Sequence, residues 1–334
     1  MTKDFKQKKD EKIKIWPEII GLYPAIVPLS DIKNKKDNSI LVQFAGLSES
    51  DSTGLSFLLC QLLKIFKKID SRSFGFEDIQ LIPTYETISK LGFFNIINKH
   101  LPYKDLFLSV PDAQLISKIE YIKEGFKKVS FPIYHLDYSI QQEPRHVVDD
   151  FIEWLSNILE EPIRLGFKFK RNAFVQMLNE IAKNSEDHTD DNAFFGIDFI
   201  NLSSNNLKIT FSFCDLGRGI HINIKEYLRD HPEAFNGRFR NKHNHLSLTD
   251  VYHIAMGVNN SCPKNDTGRN RGLGMSIIHQ CSVDLGLKLS VFDANSRGLL
   301  SELTLMTHED IRKYFFNLGK STGFYYYGEL TLVK

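Results

Sequence analysis

Apolar positions along this chain follow two rhythms. Alternation marks strands at Ser39 to Phe44, Phe194 to Ile200 and Leu207 to Cys214, the last two joined by the turn Ser203 to Asn206. Helical spacing runs through Leu55, Leu58, Leu59, Leu62, Leu63 and Phe66, predicting a helix over Gly54 to Lys68. Pro83 and Thr84 open another helix containing Ile88, Leu91 and Phe94, after a candidate strand at Ile79 to Ile82. Further on, Phe131 to Tyr138 reads as a strand whose Pro132 suggests a sheet edge. Glu143-Pro144 starts a helix through Val147, Phe151, Leu155 and Leu159, and a second helix spans Arg171 to His188. A helix beginning around Gly272 leads to a hairpin of Leu287 to Phe292 and Leu299 to Met306. The end of the chain reads as a short helix, Asp310 to Leu318, and an aromatic strand from Phe324 to Val333. Aromatic strands of this sort are usually core; added to a sheet edge instead, in this chain or in a second copy, the strand leaves a homodimer open.

A polar stretch around Lys118 to Lys128 divides the pattern into two units. We expect a basic tail and lead-in over 1–37, a small α/β domain over 38–125, a larger domain over 126–306, and an extension over 307–334. A length of 334 residues fits two domains at about 100–200 residues each. Net charge changes the picture further. Lys+Arg 42 against Asp+Glu 41 leaves +1, which excludes a globally basic nucleic-acid-binding chain. The local cluster Arg238, Arg240, Lys242, His243 and His245 is read first as a solvated loop face. The sequence has no apolar run of membrane-spanning length and begins without a secretory core, so a cytoplasmic protein is expected. Cys60, Cys214, Cys262 and Cys281 form no CxxC pair, which argues against a zinc site or disulfide framework.

Three strings carry the chemistry. On the helix Arg171 to His188, Phe174, Met177, Leu178, Ile181 and Ala182 make an apolar stripe. Glu180 and Asn184 lie one turn apart, and Asn184 falls about 20° from Met177 at about 100° per residue. An amide so close to the core has to find partners or line a cavity. His188 continues the row. The second string, Asp215-Leu-Gly217-Arg-Gly219-Ile220, stands where an alternating strand stops. Its glycines let backbone approach a ligand, and its carboxylate can accept from an amino group. The third, Thr267-Gly268-Arg-Asn-Arg271-Gly272-Leu273-Gly274-Met275, precedes a helix. Free N–H groups there, with arginines nearby, suit phosphate. Taken singly, each string also has a plain reading: a satisfied edge residue, an ordinary turn, a flexible loop.

Their order says more than any one of them. The succession resembles the GHKL ATP-binding family, nearest its histidine-kinase and serine-kinase branches, over about residues 129–306. Glu180 and Asn184 match the N box, Asp215, Gly217 and Gly219 the G1 box, and Gly272 and Gly274 the G2 box. The resemblance implies a two-layer α/β sandwich of the Bergerat type with a mixed sheet, and ATP with magnesium as cofactors. It implies that Asn184 holds the metal, that Asp215 accepts from the adenine amino group, and that Gly217 and Gly219 make space beside the base. Residues from about His221 to Asn270 would form a lid, Gly272 to Met275 would cradle phosphates, and Glu180 would be the general base. Asn270 and Leu299 depart from the family's usual Gly and Thr.

Phe44 to Leu55, with Asp51-Ser52-Thr53-Gly54 leading into a helix, is similar to STAS regulatory domains over about residues 38–104. That resemblance implies Ser52 as a phosphoacceptor; the plainer reading is that Ser52 caps the helix. Two functions are therefore expected as alternatives. One is an ATP- and magnesium-binding signalling protein that hydrolyses ATP slowly or transfers its γ-phosphate to a protein serine, with a protein partner reading its state. The other is a non-enzymatic ATP-sensing interaction module.

Overall fold

The structure is a computed structural model that describes residues 11–15, 40–44, 51–68, 74–77, 85–100, 125–138, 145–189, 191–217, 219, 222, 226, 229, 274–293, 298–301, 304–305 and 324–334. The expected strand Ile79 to Ile82, the helix Asp310 to Leu318 and nearly all of the expected lid lie outside these residues.

Two sheets organise the described chain. β1 (Glu11–Ile15), β2 (Ile40–Phe44) and β3 (Phe74–Glu77) pair in parallel, in that spatial order. β1 falls within the stretch expected to be a basic tail, where short Lys-rich alternation masked a strand that has a partner. The large sheet is built from β4 (Lys128–Ser130), β5 (Tyr134–Asp137), β6 (Asn192–Ser203), β7 (Asn206–Asp215), β8 (Lys288–Asp293), β9 (Gly298–Ser301), β10 (Thr304–Leu305) and β11 (Phe324–Val333). Its order is β10-β9-β8-β11-β7-β6-β4, with β5 also on β6. The fold is α+β, as expected, with one correction: the large sheet was expected to be mixed, yet every described pairing in it is antiparallel. The parallel pairs belong to the small sheet alone.

β11 is also not an edge strand. It lies between β7 and β8, pairing Phe324 with Asp215 on one side and with Asp293 on the other. The final strand is thus part of the large unit and reaches its middle. Pro132 separates β4 from β5 at the other margin, where a missing backbone donor is tolerated.

One face of this sheet carries α4 (Arg145–Arg164), α5 (Arg171–His188) and α6 (Gly274–Leu285). Phe195, Ile197 and Phe199 of β6, Ile209, Phe211 and Phe213 of β7, and Leu330 and Leu332 of β11 point into that core. They meet Phe151, Leu155 and Ile158 of α4, Phe174, Met177, Leu178 and Ile181 of α5, and Ile278 of α6. Burying each such side chain contributes roughly 1.5–3 kcal/mol.

Much of the other face reads as one that would meet water, because several of its side chains are small or polar: Gly196 and Asp198 on β6, Thr210, Ser212 and Cys214 on β7. All of these are buried instead. α1 (Ser52–Lys68) lies across them. Asp198 accepts the backbone N–H groups of Ser52 at 3.0 Å and Thr53 at 2.9 Å, and the Thr53 hydroxyl as well. Ser212 Oγ donates to the Thr53 carbonyl at 3.0 Å, and Phe57 stacks on Tyr325 of β11 at 5.2 Å. A Cβ at Gly196 would lie 2.2 Å from the Ser52 carbonyl oxygen, so only glycine admits the helix start.

The helix expected after Pro83 is broken in two. α2 (Tyr85–Lys90) and α3 (Phe93–His100) meet at Gly92, whose φ of 80° is left-handed and ends the first helix. α3 and the turn before it are tied to the large unit. Ile133 N–H donates to the Leu91 carbonyl at 3.0 Å, and His100 and His135 bring their Nε2 atoms within 3.2 Å. Just ahead of α1, Asp51 pairs with Lys128 of β4 at 2.9 Å. Among the described residues, no helix is long and apolar enough to cross a membrane.

Candidate functional site

The apolar stripe of α5 seats that helix on the sheet, and its parity decides what reaches the rim. Met177, Ile181 and Ala182 are buried, so Asn184 and His188 emerge half-buried on the same side at the C-terminal end. The helix stops there because Thr189 turns extended while its N–H still donates to the Ser185 carbonyl at 2.9 Å. On β7, the alternation that sends Phe211 and Phe213 into the core sends Asp215 to the same side, one step beyond the core. Asp215 is buried, and its Oδ1 accepts the Gly217 N–H at 2.8 Å.

Between these elements lies a hollow of about 70 Å³ lined by Asn184, His188, Asp215, Gly217, Gly219 and Met275, with Ile181, Ser185, Phe324 and Tyr326 completing its wall. Residues from three separate strings of the sequence therefore converge on one space. Gly219 has φ of 83°, a backbone conformation that side-chain-bearing residues rarely adopt. Gly274 opens α6 against the Asn184 amide; a Cβ there would lie 2.6 Å from Asn184 Oδ1.

Other expected site residues stand elsewhere. Glu180 is half-buried on α5 one turn before Asn184, is not among the residues lining the hollow, and lies close enough to Cys281 of α6 to help push that thiol's pKa up, after burial and Asp284. Ile220, Gly268, Arg271, Gly272 and Leu273 lie outside the described residues, as do Arg238, Arg240, Lys242, His243 and His245. Ser52 is fully buried at the start of α1; its Oγ has no hydrogen-bond partner, while its N–H is held by Asp198.

The sequence reading missed Phe324 and Tyr326. Their alternating aromatic run was visible, but nothing in it specified β7 as a neighbour. Tyr138 was missed too. It is half-buried beside the site, donates to the Ala182 carbonyl at 3.1 Å, and has its pKa raised well above the usual phenol range, mainly by desolvation of its hydroxyl.

The donor set suits a purine nucleotide with a hard cation. A buried ionised carboxylate accepts only, as a base amino group requires, and an amide oxygen is an acceptable ligand for magnesium, which takes few protein ligands. The glycine against Asn184 leaves open the space that a side chain would fill. Among the described residues there is no cluster of three or more His, Cys, Asp or Glu of the kind that would hold a metal without help from other ligands.

No family model matches the chain, and no curated protein matches it. Among solved structures it is similar to the mycobacterial sensor histidine kinase MprB, with a TM-score of 0.26 and 11% identity, over 60% of this chain and 99% of that one. Nothing about the chemistry here follows from a likeness at that level.

Proposed function

We propose that the hollow binds ATP with magnesium and that the protein is a nucleotide-dependent signalling protein. The observation that carries this reading is the convergence of Asn184, Asp215, Gly217, Gly219 and Met275 on one space, with the carboxylate and the amide supplied by two different elements, β7 and α5. Asp215 reads the adenine amino group, Asn184 Oδ1 meets the cation, and the start of α6 faces the phosphates, where free N–H groups favour negative charge. When bound, magnesium neutralises phosphate charge, the main requirement of phosphoryl transfer.

Glu180 would then assist the attack of water or of a partner's serine hydroxyl as general base. The acceptor is best sought on a partner protein, since Ser52 qualifies only once α1 has left the sheet. The absence of Glu180 from the residues that line the hollow favours a second reading, in which the site binds ATP and reports it without turnover. Isothermal titration of the full chain with ATP, with and without magnesium, tests binding; absence of heat in both conditions overturns the proposal. Phosphate release or transfer from ATP by Glu180→Ala then separates the readings. Turnover that survives the substitution removes Glu180 from the chemistry, and no turnover in the unmodified protein leaves the sensor.

A further inference from the structure

We propose that His100, His135 and Asn192 form a binding site for a divalent cation of zinc's class, joining the last residue of α3 to the margin of the large sheet. The site is separate from the hollow and does not depend on the nucleotide reading. Three elements supply one side chain each: His100 ends α3, His135 stands on β5, and Asn192 opens β6. His100 Nε2 lies 3.2 Å from His135 Nε2, which in turn lies 2.7 Å from Asn192 Oδ1. No spacing motif announces the trio, because the rings are 35 positions apart and the amide a further 57.

Hydrogen bonding alone leaves this trio one contact short. A ring nitrogen carries a proton or a lone pair, never both. If His135 Nε2 is protonated, its single proton serves the Asn192 oxygen or His100, not both in full. If it is bare, it faces the Asn192 oxygen lone pair to lone pair. A cation draws on all three atoms at once, with each ring's proton resting on Nδ1. The spacing agrees: tetrahedral zinc, with Zn–N of about 2.0–2.1 Å, sets two imidazole nitrogens about 3.3 Å apart. The amide presents its oxygen because Asn192 Nδ2 donates to Asp191 Oδ1 at 2.8 Å. His135 is held in place by stacking on Phe194, with 5.2 Å between centroids and planes 13° apart. Both rings are half-buried, so water can complete the shell. Lys99 opposes a cation here, but Asp137, its partner at 3.4 Å, offsets that charge. Two imidazoles and an amide oxygen form a borderline donor set, suited to zinc rather than magnesium. Among the described residues no group of three His, Cys, Asp or Glu gathers around a metal, so the amide is the third ligand. The lack of CxxC pairs bears only on thiolate sites.

The test uses the full chain and zinc chloride. Even outer-shell partners change metal affinity by about 10–100-fold, and a direct ligand should do no less. Isothermal titration should therefore find a zinc site in the unmodified protein that weakens by about tenfold or more in His100→Gln and in His135→Gln. Zinc should also raise the unfolding temperature of the unmodified protein and not that of His100→Gln, because ligands on separate elements tie binding to folding. Equal zinc affinity in all three proteins would place the metal on other side chains. No zinc binding by the unmodified protein would leave the trio a hydrogen-bonded seam, whose variants lose stability with or without zinc. Either result overturns the proposal. Should His135→Gln fail to fold by near-ultraviolet circular dichroism, His100→Gln decides alone, since it alters a half-buried helix end and keeps a polar group there.

Discussion

Asp198 and Asp215 sit on adjacent antiparallel strands, are both buried, and face opposite sides of one sheet. On β6, Asp198 is surrounded by donors from α1: two backbone N–H groups and the Thr53 hydroxyl. On β7, Asp215 takes the Gly217 N–H and turns toward a hollow. A buried carboxylate whose donors all come from the chain itself is a fastener. One that borders open space has capacity for a ligand. The back face is accordingly structural, and the proposed nucleotide site lies on the front face.

The largest effect should come from breaking the fastener. Asp198→Ala leaves the Ser52 and Thr53 donors buried without an acceptor, which should cost on the order of 3 kcal/mol in urea unfolding. Asp215→Ala should cost clearly less. If the two cost the same, the contrast between the faces is wrong. Next in size is Gly196→Ala. Its new methyl group would collide with the Ser52 carbonyl, and overpacking of this kind costs about 2 kcal/mol. Limited proteolysis should then cut within 51–68 faster than in the unmodified protein. Asp215→Asn makes the complementary change, retaining an acceptor for Gly217 but presenting an amide to the base. Its ATP affinity should drop about tenfold, or about 1.4 kcal/mol, with little change in unfolding.

Much of the front face could be read from residue order. The α5 stripe placed Asn184 beside Met177, and the alternation of β7 placed Asp215 at a strand end; both positions are occupied as expected. The back face was illegible for a physical reason. Gly196, Asp198, Thr210 and Ser212 follow the polar half of a period-two pattern, which describes a wet face equally well. Their burial depends on a helix some 140 residues earlier in the chain, and local periodicity carries no such information. The place of β11 was hidden in the same way. Its aromatic alternation announced a strand, but pairing between β7 and β8 is a long-range choice.

A test by pH discriminates most finely between fastener and site, because it compares slopes rather than a single loss. Burial, reinforced by Asp51, pushes the Asp198 carboxyl up to about 6, above the 3.8 of an unperturbed aspartate. The folded chain therefore holds a proton there that the unfolded chain has released, and this group alone makes the protein more stable as pH falls from about 6 to about 4. His135, in the same seam, acts in the opposite sense. Burial lowers its pKa to about 4 from 6.5 despite the hydrogen bond to Asn192, so the unfolded chain takes up a proton that the folded chain refuses, and stability is lost over about pH 6.5 to 4. The two contributions oppose each other in overlapping windows. Asp198→Asn removes the first and leaves the second, so stability should fall more steeply between pH 7 and pH 4.5 in the variant than in the unmodified protein. Parallel slopes would show that the Asp198 carboxyl does not hold its proton more tightly in the folded chain, and that its charge is as well satisfied against α1 as in water.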